Sequence, residues 1–387
     1  MIMRLTDICE INPKADSVSD NTHVSFVAMP DVSENGKIST TIARPYGEVK
    51  KGFTFFKEGD VLFAKITPCM ENGKGALAVG LKNGLGCGST EFHVLRPKTD
   101  VLIGKWLYYL TAWPLFRSDA ERHMTGSAGQ KRVPKSFLEK YEINLPALHV
   151  QQQQVVTLDR IKRIIEYRES QLTLLDNLTK ARFVEMFGDQ ETNPLGWPKK
   201  TIGDCCTLKS GTSLSAEIEN EGGPIPYVKV GDMNYPGNEK YITTSSRYVS
   251  AATAGKGLFP VGSIIFPKRG GAIGTNKKRM TAVPICADLN VMGVTSNGEL
   301  RAEYLMAYFN MIDLGTLDNG SSVPQINNKD IAPLLICIPS KEMQDTFAEF
   351  VSQIDKSKDA FVHSLSLNQK MSYNISRTNQ NMCTLLF

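Results

Sequence analysis

One pattern runs through this chain twice, and that duplication limits what its 387 residues can fold into more than composition does. Arg4-Leu-Thr-Asp-Ile-Cys9 is echoed by Thr201-Ile-Gly-Asp-Cys-Cys206, and Phe26-Val-Ala-Met-Pro-Asp-Val32 by Tyr227-Val-Lys-Val-Gly-Asp-Met233. Phe56-Lys-Glu-Gly-Asp-Val-Leu-Phe-Ala-Lys65 returns as Phe259-Pro-Val-Gly-Ser-Ile-Ile-Phe-Pro-Lys268. Gly126-Ser127, Lys135, Phe137 and Pro146 return as Gly320-Ser321, Lys329, Ile331 and Pro339. The echoes keep their order, at offsets from 193 (Pro146 to Pro339) to 203 (Phe56 to Phe259). One match alone is chance; an ordered series is a duplication. Length alone predicts two or three folding units.

The first part of each half reads as strands and turns. Asp60–Ile66 and Ser263–Phe266 are short apolar runs entered through Gly59 and Gly262. Aromatic and aliphatic residues at helical spacing predict helices over Gly104–Ser118 and Leu300–Leu314.

The second part of each half changes character. From Gln151 to Phe187 there is neither proline nor glycine. Leu158, Ile161, Ile165, Leu172 and Leu175 form an a/d seam interrupted at Arg168, flanked by Ile164, Leu174, Leu178 and Ala181. Pro146 precedes the run, and Gly188 and Pro194 stop it. After Pro339 the sequence repeats the device with Phe347, Val351, Ile354, Phe361, Leu365 and Met371. About 37 helical residues make a rod on the order of 55 Å long. Either each rod packs on its own half, as amphipathic helices commonly do, or the two pack antiparallel about a pseudo-two-fold axis. Their length and matching positions favour pairing. The expected fold is therefore α+β: similar β-rich domains at 1–147 and 191–339, a long helix at 148–190 and a second helix with its tail at 340–387.

Catalytic signatures are missing. No Asn/Asp-Pro-Pro-aromatic loop and no P-loop occur, and Gly84-Leu-Gly-Cys-Gly88 reads as a turn. Pro30-Asp31 is the nearest approach to a metal-dependent nuclease, but Glu34 and Lys37 are spaced wrongly for it. No Gly-x-Ser-x-Gly elbow is present. The eight cysteines are scattered without Cys-x-x-Cys, which predicts reduced, buried thiols, and the side chains of adjacent Cys205 and Cys206 diverge if the segment is a strand. No apolar run approaches a membrane span and the N-terminus lacks a signal-peptide pattern, so a cytoplasmic location is expected.

Net charge is only +4, so what matters is whether the positive charge is focused. Pro267–Met280 carries Lys268, Arg269, Lys277, Lys278 and Arg279 with no acid, interleaved with Gly270, Gly271, Gly274 and Thr275. Lysines and arginines neutralise phosphates, and glycines let a backbone approach them. The matching segment Lys65–Lys74 offers Lys65, Asn72 and Lys74. A further pair is Thr125–Arg132, with Gln130, Lys131 and Arg132, against Asn319–Gln325, with Gln325. Glutamine pairs with adenine and arginine with guanine or phosphate. Each residue alone is equally explained by a solvated turn; their recurrence in both halves favours DNA.

With these pieces in place the chain resembles the specificity (S) subunit of type I restriction–modification systems. The resemblance spans the whole chain in architecture, and Lys180-Ala-Arg-Phe-Val-Glu-Met-Phe-Gly-Asp189 is its most specific stretch. Lys209-Ser-Gly-Thr-Ser-Leu-Ser215 resembles a family turn that usually contains proline. The resemblance implies a non-catalytic reader of double-stranded DNA. Each half would be a target-recognition domain, similar to that of TaqI-type adenine methyltransferases, reading one half-site. The paired helices would set the spacer and dock two modification (M) subunits, joined by two restriction (R) subunits. This chain would hold no cofactor; S-adenosylmethionine, ATP and Mg would belong to the partners. A stand-alone nuclease with fused recognition domains, or a coiled-coil scaffold that ignores DNA, are the competing readings.

Overall fold

A computed structural model describes residues 2–39, 42–127, 129–317 and 323–381; residues 256, 363 and 365–381 are described by backbone alone. The chain divides into two units, one of residues up to Arg168 with those from His363 on, the other of Glu169–Val362.

Unit 1 opens with Ile2–Arg4, paired antiparallel to Glu142–Asn144. One sheet runs in the order Cys9–Ile11, Phe92–Pro97, Val61–Ala64, Gly75–Leu77; the other runs Ile42–Pro45, His23–Val27, Leu85–Gly88, Thr54–Lys57. Unit 2 repeats the plan. Lys199–Thr201 pairs with Leu335–Cys337, and the first sheet returns as Cys206–Ser210, Val291–Ser296, Ile264–Pro267, Arg279–Thr281 with Tyr241–Ile242 added. The parallel pairing of His23–Val27 with Leu85–Gly88 has its counterpart in Ile225–Val228 with Cys286–Ala287. Both units are thus α+β and share a topology. Among the described residues no helix is long and apolar enough to cross a membrane.

Local chemistry explains the repeated turns. Asp7 and Asp204 accept from the backbone N–H of Arg4 and Thr201, capping the same short helix in each unit. Asp31 accepts from Ala28 N–H at 2.7 Å and Asp232 from Lys229 N–H at 2.8 Å. Pro30-Asp31 is therefore a capping device. Where unit 1 joins two strands by the bidentate Arg96–Asp60 pair, unit 2 uses a hydroxyl pair, Ser263 with Thr295 at 2.8 Å.

Several expectations change. Gly84–Gly88 is no turn: Leu85–Gly88 is a buried strand, because Cβ atoms at Gly86 and Gly88 would collide with the Phe56 ring and the Val27 carbonyl. The helix expected over Gly104–Ser118 breaks at Trp113, where Pro114 starts a second helix, Pro114–Arg122. Cys205 closes a helix and Cys206 opens a strand, so their sulfurs lie 3.9 Å apart instead of diverging. The seven described cysteines are free thiols; Cys383 lies outside the described residues.

The long helices are Leu148–Phe187 and Lys341–Asn381. Each begins as part of its own unit. Buried Gln151 accepts from Ile103 N–H (2.9 Å) and donates to the carbonyls of Val101 and Pro146. Buried Gln344 accepts from Arg301 N–H (2.7 Å) and donates to Glu299 and Pro339. Five residues after a proline, each glutamine closes the N-terminus of the neighbouring helix and locks the long helix to it. Within unit 2 the helices also pair. Asp176 meets Lys358, Arg182 lies over Phe350, and Phe183 and Phe187 meet Phe347 with centroids 5.7 and 5.5 Å apart. Rising numbers on one helix meet falling numbers on the other, so the pairing is antiparallel. The two packing modes weighed from sequence coexist.

Replacing Gln151 or Gln344 by alanine leaves a buried N–H and two carbonyls without those bonds. We expect each substitution to cost about 2–3 kcal/mol in its own unit, read by chemical denaturation.

Candidate nucleic-acid interface

The four segments singled out for their charge meet two by two. In unit 1 the Lys65 carbonyl accepts from Val133 N–H (2.9 Å), and Thr67 N–H donates to the Lys131 carbonyl (3.0 Å). In unit 2 the Lys268 carbonyl accepts from Ile326 N–H (2.9 Å), and Gly270 N–H donates to the Pro324 carbonyl (2.8 Å). The lysine N–H groups donate to Glu91 and Asn290, again at equivalent points. Each junction thus holds two loops, about 60 residues apart in sequence, as one surface. Asn319–Ser322 lie outside the described residues, so unit 2 is read from Val323 on.

Side chains divide into free and engaged. Asn72, Gln130, Lys131 and Arg269 are exposed and make no side-chain hydrogen bond among the described residues; Lys65 is half-buried. Lys74 donates to the Met29 carbonyl (3.2 Å), Lys268 to the Ser210 hydroxyl (2.9 Å), Lys277 to Asn234 and Gln325 to Asn327 (2.9 Å). Those ends are half-exposed and held by neutral groups. Arg132 forks onto the Glu91 carboxylate (2.9–3.2 Å), which its hydrogen bond holds below the usual carboxylate range.

Two expected contacts are corrected. Lys278 is only 4% exposed and its ammonium bonds to Asn276 and to the Ile312 carbonyl. Arg279 belongs to a strand, donating to the carbonyls of Asn238 (2.7 Å) and Lys278 (2.9 Å). Counting charge along a sequence cannot tell which of three consecutive cations points inward. Within Pro267–Met280, Gly270–Thr275 winds a 3₁₀ turn ending at left-handed Asn276.

The glycines of that turn carry information. Gly271 and Gly274 have no left-handed backbone, and nothing lies within 4 Å of where a Cβ would stand. The fold itself does not require glycine there. Gly211, by contrast, is wedged against the carbonyls of Ala287 and Asp288.

Sequence reasoning missed His93. It is buried beside the unit 1 junction: Nε2–H donates to the Val133 carbonyl (2.8 Å) and Nδ1 accepts from Asn12 (3.0 Å), an assignment made from the bonding partners. Burial first of all pushes its pKa below 6.5. Met292 fills the equivalent place in unit 2. No cluster of metal-ligating side chains occurs among the described residues. The surface offers amides, cations and open glycine backbone, groups of the kind that contact phosphates and base edges.

Comparison with known proteins yields consistent matches. A family profile described as "Type I restriction modification DNA specificity domain" matches residues 1–175 and 194–368. The specificity subunits of type I restriction enzymes EcoAI and EcoEI, both from Escherichia coli, are 44% and 43% identical over 175 residues, 44% of this chain. The chain spans only 30% and 29% of those relatives' own length. The MjaIX specificity subunit of Methanocaldococcus jannaschii is 24% identical over 287 residues, 68% of this chain and 65% of its own. A chain from a structure describing complex assembly and conformational transition of the type I R-M system superposes with TM-score 0.62, at 17% identity, covering 98% of this chain and 97% of that one. The S subunit from M. genitalium gives 0.55 at 15% identity, with 98% and 95% covered. These structural likenesses concern the fold.

Because the His93 pKa is depressed, its contribution to stability is present above pH 6.5 and lost as pH falls below it, where the unfolded chain takes up the proton first. Unit 1 is expected to melt at lower temperature at pH 5.5 than at pH 7.5. In His93→Gln that difference shrinks, as differential scanning calorimetry will show.

Proposed function

Because the chain belongs to the type I restriction–modification DNA specificity family, we propose that it is the non-catalytic DNA-recognition subunit of such a system, each unit reading one half-site of a bipartite target. The observation that carries this reading is the equivalent junction in both units, with exposed Asn72, Gln130 and Lys131 beside it in unit 1 and exposed Arg269 beside open glycines in unit 2. Lys65, Asn72, Lys74, Gln130 and Lys131 form the reading surface of unit 1; Lys268, Arg269, Lys277 and Gln325 form that of unit 2. Arg132 joins when Glu91 releases it. Gln130, Gln325, Asn72 and Arg269 suit base edges, and the lysines suit phosphates. Gly271 and Gly274 allow the duplex backbone to come close.

The long helices act as spacer and as docking surface for two methyltransferase subunits. Exposed Ile164, Tyr167, Leu174 and Leu178 support the docking role. S-adenosylmethionine, ATP and Mg act in the methyltransferase and restriction partners, and the complex works in the cytoplasm.

Duplex binding by the full chain, followed by fluorescence anisotropy across salt concentrations, tests this. Lys131→Ala should flatten the salt slope by about one unit, whereas Arg269→Ala should relax sequence preference. Gly271→Ala should weaken binding while leaving the melting temperature equal or slightly raised. Metal-dependent cleavage by this chain alone would favour the nuclease reading, and salt-independent binding would favour the scaffold.

A further inference from the structure

Beneath each reading surface lies a buried cation that folding alone does not explain. In unit 1 it is Arg117, on the helix Pro114–Arg122 and 7% exposed. Its Nη1 donates to the Met70 carbonyl (2.7 Å) and Nη2 to the Lys74 carbonyl (3.2 Å), so one guanidinium grips the Lys65–Lys74 turn at two points. The group sits 5.0 Å from the Phe63 ring centroid, and its Nε has no partner among the described residues. Burial lowers its pKa to about 10, and the only charge interaction that opposes this comes from Tyr108, with no carboxylate involved.

In unit 2 the part is played by Lys278. Its ammonium donates to Asn276 Oδ1 and to the Ile312 carbonyl, both at 2.7 Å, and Asn276 Oδ1 also accepts from Leu314 N–H (2.9 Å). Burial lowers its pKa to about 8; Asp313 opposes that shift and Lys180 reinforces it. Arg117 rises from a helix to the loop carbonyls, whereas Lys278 descends from the loop to a carbonyl just past the helix Ala302–Met311. The residue types and directions differ, but the link is the same.

A charge buried without an ion-pair partner is destabilising, and an apolar side chain of similar volume would support the turn at lower free energy. What the cation adds is a turn pinned by charge-assisted bonds, with positive potential beneath it. A base-reading amide or guanidinium discriminates only if its backbone is held still. We propose that Arg117 and Lys278 are positioning residues, each holding the DNA-facing turn of its own unit in the pose that reads one half-site. This rests on the DNA-reading assignment above.

The test uses the full chain and a duplex carrying the tracts that the wild type protects, with each tract footprinted separately. Arg117→Met should raise Kd about tenfold or more and strip protection from one tract only. Lys278→Met should do the same at the other tract. Arg117→Lys keeps the charge but not the two-pronged grip, and should lose protection partially at the same tract as Arg117→Met. Circular dichroism melts accompany every variant. Normal protection of both tracts overturns the proposal, as does loss of both together. So does unfolding of Arg117→Lys, which makes the cation a core element. A wild type that protects no tract defeats the DNA-reading assignment instead. In that case amide exchange over residues 65–74 decides: faster exchange in Arg117→Lys supports the clamp, and unchanged exchange removes it.

Discussion

The two units share a small backbone junction, made once in each. A strand leaves its sheet at Lys65 or Lys268, and that lysine's carbonyl is taken by Val133 N–H or Ile326 N–H from a distant loop. A second bond joins the same segments, from Thr67 N–H to the Lys131 carbonyl or from Gly270 N–H to the Pro324 carbonyl. Together they form one surface, anchored to a sheet by the same residue. The junction recurs atom for atom although its surroundings differ, with His93 beside one and Met292 at the equivalent place in the other. Its backbone geometry is what the duplication preserves.

The long helices make a second kind of joint. Gln151 and Gln344 satisfy a helix N-terminus and two carbonyls from within the core, which ties the start of each long helix to the neighbouring helix of its unit. Buried polar networks of this type are fully satisfied or costly, so they specify one arrangement. Further along, apolar contacts such as Val155 in the unit 1 core and Phe347 in the unit 2 core continue the attachment. Each long helix is therefore anchored at its N-terminal end in the core of the unit where it begins.

How much of this was legible depended on the length scale of the signal. The duplication and both long helices were readable, because order along the chain and freedom from proline and glycine are one-dimensional properties. The buried glutamines were available as a repeated Pro-x4-Gln spacing, yet a polar residue beside an apolar seam gives no sign of being inside. Proximity of the charged loops was implied only by their recurring together. The inward turn of Lys278 against the outward turn of Arg269 was not legible, since it is decided by left-handed Asn276 and by a carbonyl at Ile312, far along the chain. Likewise Leu85–Gly88 reads as punctuation until Phe56 and Val27 are seen to need the missing side chains.

On the proposed function, two equivalent surfaces each read part of one duplex. Selection of bound sequences from a random duplex library by the full chain addresses it most directly, repeated with Arg269→Ala. Two specified tracts separated by a fixed, unspecified spacer are expected, with the substitution relaxing one tract and leaving the other intact. A single continuous tract, or relaxation of both tracts together, would contradict it.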